Sequence, residues 1–151
     1  MSIAVALHIL AAVIWVGGMF FALLILRPAA GALEPPQRLP LWGRVFGKFF
    51  PWVWAAVILL PVSGYWMIFN GLGGMGHLPV YLHLMQGLGW LMILLFLHLW
   101  FAPYKRLKRA IAAEDYTGGA RHLNQIRHLV TVNLILGLLI AAIGASGRYW
   151  G

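Results

Sequence analysis

The stretch VYLHLMQGLGWLMILLFLHLWFAPYKRLKR, Val80 to Arg109, decides the fold. It carries no Asp, Glu, Lys or Arg from Val80 to Ala102, and then Lys105, Arg106, Lys108 and Arg109 arrive together. A hydrocarbon layer about 30 Å thick is crossed by roughly 20 apolar helical residues. Lipid offers the backbone no hydrogen bonds, so such a run has to satisfy itself as a helix. The stretch therefore predicts a membrane span at about 80–102 with a basic exit. Three more runs of the same kind occur at about 3–26, 51–70 and 128–147. The fold expected is all-α, an integral membrane four-helix bundle that uses residues 1–151 as one four-span domain. The first run has no basic residue before it and meets Arg27-Pro28 where a leader would be cleaved, so it is expected to be retained.

Composition agrees. Of 151 residues 62% are hydrophobic and 9% charged, with a mean hydropathy of +0.85, whereas about a quarter of a soluble domain is charged. The balance of 11 Lys and Arg against 3 acids gives +8. Four long apolar blocks set a nucleic-acid partner aside and make the lipid bilayer the partner of that charge. Ten of the 11 basic residues lie in 27–50 and 103–127, and only Arg148 lies elsewhere. The positive-inside rule puts those two loops in the cytoplasm and both termini, with the loop at 71–79, outside. Between the spans, the proline-rich LRPAAGALEPPQRLPLW is expected to be irregular to about Leu41, and the second basic loop to be helical with a break at Gly118-Gly119. Trp42, Trp52, Trp54, Trp100, Tyr104, Tyr149 and Trp150 fall near span ends and are expected to act as interfacial anchors. With no cysteine, thiolate metal sites and disulfides are excluded. No span contains paired carboxylates, which disfavours hydrolysis and Asp/Glu-type proton pumping.

Ionisable residues inside a bundle are functional candidates by default, and the chain has 6 His. His8 and His83 fall at similar depth toward the outer end, and His98 and His128 toward the inner end. His83 and His98 share a helix, roughly 22 Å apart along its axis and about 60° around it. Two layers, each with one histidine from the third span and a partner from another, are the arrangement required by bis-histidine b-type haem. On that basis His8 and His83 are expected to ligate an outer haem and His98 and His128 an inner one, with Arg148 near outer propionates. The glycines of the spans, Gly17, Gly18, Gly87, Gly89, Gly137, Gly144 and Gly147, suit either ring clearance or close helix packing. One or two b haems would make the chain an electron carrier within or across the membrane, exchanging with quinone or another redox partner. Copper is the alternative: Met75 and His77 form an M-x-H pair in the outer loop and Met85 follows His83, thioether and imidazole being donors suited to Cu(I).

Three patches resemble known families. HILAAVIWVGGMFFALLILRPA, His8 to Ala29, looks like the opening helix of the CopD-type copper-resistance membrane proteins. It is also similar to that of the four-helix HemJ-type protoporphyrinogen oxidases, in an early His8, Trp15 seven residues on and the pair Gly17-Gly18. The likeness continues through His83 to the basic exit after His98 and into RHLNQIRHL before the fourth span. It implies a multi-pass protein of the bacterial inner membrane, with the termini in the periplasm. From the HemJ side it implies haem b on His8 and His83 and, as a further alternative, a membrane oxidoreductase that oxidises protoporphyrinogen, and from the CopD side copper uptake or resistance. Met85 stands where the HemJ-type pattern H-x-K has lysine, which turns the resemblance toward the CopD side.

Overall fold

The computed structural model describes all 151 residues. Four helical rods long and apolar enough to cross a membrane make up nearly all of it: α1 (Ser2–Ala30), α2 (Pro35–Gly71), α3 (Val80–Ala112) and α4 (Tyr116–Tyr149). There is no strand. Between α2 and α3 the Gly-rich loop holds only a single 3-10 turn, Met75–His77. The bundle is apolar outside as well as inside. Only 29 of 151 residues are buried, while Ile3, Val13, Ile58, Leu94 and Ile135 are all more than half exposed, as lipid contact requires.

The rods overrun the apolar runs at the basic end. α2 begins at Pro35, with Pro35 and Pro36 in its first turn, so the segment expected to be irregular up to Leu41 is already helical. Proline is tolerated there because the first helical N–H groups have no partner within the helix. Gly118-Gly119 also does not break the chain. The break lies just before, at Ala113 to Asp115, where Glu114 takes a φ of 54°. Asp115 caps α4 by accepting the Gly118 N–H at 3.0 Å. A Cβ on Gly119 would come within 3.1 Å of the Leu39 side chain, so glycine there lets α4 approach α2.

Proline shapes the rods inside the membrane too. α1 widens into a π-turn at Ala22–Leu26, just before Pro28, and the Arg27 N–H reaches back five residues to the Ala22 carbonyl. α3 widens in the same way at Trp100–Tyr104, around Pro103. A proline ring crowds the carbonyl four residues earlier and supplies no N–H, and a locally wider turn relieves both problems.

α1 lies closest to α2, α3 closest to α4, and α1 also touches α4. The backbones of α2 and α3 stay apart over Val80–Leu99 and are joined by rings: Phe50 to Phe96 at 5.6 Å, Trp54 to Phe96 at 5.3 Å and Trp54 to Trp100 at 5.6 Å. Trp42 and Tyr104, expected at the interface, are instead buried in this cluster. Their rings pack near Phe46, at 5.3 Å for Trp42 and 6.1 Å for Tyr104. Trp52, Tyr149 and Trp150 are more than half exposed.

Candidate functional site

His8 enters the seam between α1 and α2. Its ring lies against Gly64, where a Cβ would sit 3.3 Å from the imidazole Cε1, so the absence of a side chain makes room for it. Ser63, buried beside Gly64, places its Oγ 2.9 Å from His8 Nδ1. That hydroxyl also approaches the Leu59 carbonyl at 2.6 Å and the Leu60 carbonyl at 3.2 Å. A hydroxyl has one proton, and a carbonyl can only accept it, so Ser63 donates to the α2 backbone and accepts from His8 Nδ1–H. The arrangement fixes His8 as the Nδ1–H tautomer and leaves the Nε2 lone pair free. A metal-binding imidazole is commonly held by an acceptor on its other ring nitrogen, most often a carboxylate, carbonyl or water, and here the Ser63 hydroxyl takes that place.

The other sequence candidates are placed differently. His83, His98 and His128 are exposed on the outside of the bundle. The Nε2 of His128 lies 3.3 Å from the Arg127 guanidinium. Arg148 donates to the Tyr149 hydroxyl and sits over that ring at 4.6 Å. Met75 and His77 are exposed on the 3-10 turn. Met85 points into the α3–α4 seam, where a Cβ on Gly144 would lie 3.0 Å from its Cε and 3.3 Å from its Sδ.

No three His, Asp or Glu side chains gather as a metal-holding group. A bis-histidine haem needs two imidazoles aimed at one pocket. Of the four candidate histidines only His8 is drawn between helices. Several span glycines serve close packing: Gly18 receives the Phe49 ring, Gly137 receives Val16, and Gly147 receives Tyr81. Gly17, Gly87 and Gly89 have open space around them.

Sequence reasoning missed Ser63, Gly64, Met1 and Asn133. The Met1 side chain folds over Gly71, adding a thioether at the same end as His8. Asn133 is buried, and its Nδ2 donates to the Met92 carbonyl at 3.1 Å, while its Oδ1 has no partner. The available signal was a lone polar residue inside an apolar run: Pro61-Val-Ser63-Gly64 in one span and Asn133 in another.

A family model described as CopD, copper resistance protein D, matches residues 43–146. The match takes in most of α2, all of α3 and nearly all of α4, and α1 with His8 lies outside it. No curated protein and no solved structure matches the chain.

Proposed function

Because this chain belongs to the CopD, or copper resistance protein D, family, we propose that this multi-pass membrane protein handles copper ions as cargo at the end of the bundle that holds His8. The observation that carries the proposal is the His8–Ser63 pair, which presents a free imidazole nitrogen part-way into the membrane, with its tautomer set from behind. The same end supplies the thioethers of Met1, Met75 and Met85 and the imidazole of His77, soft and borderline donors suited to Cu(I).

In this reading the basic end faces the cytoplasm, following the positive-inside rule. Both termini and the loop with Met75 and His77 then face the periplasm of the bacterial inner membrane. Ions arriving from outside meet the exposed Met75–His77 turn first and His8 deeper in.

The test is copper tolerance and copper content of cells that carry or lack the chain. Deletion should change both, and His8→Ala should reproduce the deletion while His98→Ala should not. Unchanged copper handling, together with a Soret band in the detergent extract that His8→Ala and His83→Ala abolish, would overturn the proposal in favour of haem-based electron transfer.

A further inference from the structure

A cavity of about 450 Å³ opens at the basic end of the bundle, far from His8, where α1 leaves the membrane between the starts of α2 and α4. Three arginines line it, Arg27 from α1, Arg38 from α2 and Arg127 from α4, and there is no Asp or Glu among its 15 lining residues. Little inside the protein occupies these donors. Arg38 reaches the Leu33 carbonyl at a long 3.3 Å, and Arg127 shares a 3.3 Å contact with His128. Each guanidinium has five N–H donors, so most remain unused. Three cationic residues around one hollow, with no carboxylate among its lining residues, favour an anion there.

The remaining walls define the anion further. Leu23, Phe46 and Val130 continue the cavity toward the membrane interior, and the π-turn at Ala22–Leu26 widens α1 at this level. The hollow is therefore cationic at the level where the uncharged run of α1 ends at Arg27 and apolar just below it. A phospholipid has the same profile, with its phosphate at the interface and its first acyl carbons beneath. Free phosphate would use the arginines and leave the apolar wall bare. Arginine favours phosphate because its planar fork donates two parallel hydrogen bonds to adjacent oxygens. A basic pocket between helix ends on the positively charged side is the usual setting for such recognition.

We propose that the Arg27–Arg38–Arg127 cavity is a seat for the phosphate headgroup of an anionic phospholipid in the leaflet on the basic side. The bound lipid ties the end of α1, a rod outside the family match, to α2 and α4.

Native mass spectrometry of the detergent-solubilised protein, mixed in turn with phosphatidylglycerol, phosphatidylcholine and inorganic phosphate, tests this. The wild type should retain phosphatidylglycerol over phosphatidylcholine. Arg38→Gln and Arg127→Gln should each weaken that retention about fivefold, and their combination about 25-fold, as expected for one interfacial cation apiece. Arg109→Gln and Arg121→Gln, outside the cavity, should leave it unchanged. Ala120→Trp, which fills the rim from an exposed position and keeps every charge, should also displace the lipid, so loss of charge and loss of fold are told apart. Equal retention of the two lipids, equal effects from Arg109→Gln and Arg121→Gln, or inorganic phosphate competing at the lipid's own concentration would each overturn the proposal. None of these outcomes depends on copper.

Discussion

The two ends of this bundle are built differently. At the basic end, rings interlock: Phe46 stacks on Phe50 within α2 at 4.9 Å, and across to α3 Phe50 meets Tyr104 at 4.8 Å and Trp100 at 6.0 Å. Lys108 lies over the Tyr104 ring at 4.6 Å, and Leu39 and Leu107 have no exposure at all. At the other end the seams are lined with glycines, and the buried side chains include Ser63 rather than a ring cluster. Within a membrane the hydrophobic effect does not hold helices together, so cohesion has to come from shape and contact. The difference shows a division of labour: aromatic packing at the basic end supplies cohesion, and the His8 end is left free to place donors and small residues around a polar pair.

The largest effect should come from breaking the aromatic end. Phe50→Ala removes a ring that is 2% exposed and touches Phe46, Phe96, Trp100 and Tyr104. It should cost about 4 kcal/mol, measured as loss of the folded fraction on denaturant titration in detergent, and a loss under about 1 kcal/mol would deny that this cluster holds the bundle. A smaller effect should follow at the opposite end from Gly147→Val. Its branched side chain would meet the Cβ and ring of Tyr81 and should cost about 2 kcal/mol, visible as a lower melting temperature, with His8-dependent copper binding retained at low temperature. The smallest should be Asn133→Leu, which gives up one hydrogen bond to Met92 and an unpaired Oδ1 together. Its stability in the same titration should stay within about 1 kcal/mol of the parent. A larger loss would mean that Oδ1 has an essential partner, such as a bound water.

These contrasts also show what was legible in the sequence. The four rods were readable because long uncharged runs in a chain with so few acids have one physical solution. Their lengths were not. Pro35 and Pro36 look like loop, yet prolines fit a first helical turn, and the basic run after Tyr104, expected to be helical, continues α3 itself with Leu107 and Ala110 buried. Depth could be counted along a helix, but the direction a side chain faces could not. The roughly 60° offset correctly puts His83 and His98 on a common face, and that face proves to be the exposed one. The same blindness made Trp42 and Tyr104 look like anchors when they turn inward. His8 was found by its depth, whereas Ser63 and Gly64, which orient it, are small residues in an apolar run and gain their meaning only when α1 is laid against α2.

The central claim is that Ser63 holds His8 ready to bind copper, and it is tested most directly by Cu(I) titration of the purified protein against a chromophoric competitor. The wild type should bind Cu(I). His8→Ala should weaken binding most, Ser63→Ala should weaken it by about tenfold, as loss of the group behind a ligating imidazole does, and His98→Ala should leave it unchanged. Full Cu(I) affinity in both His8→Ala and Ser63→Ala would contradict the account.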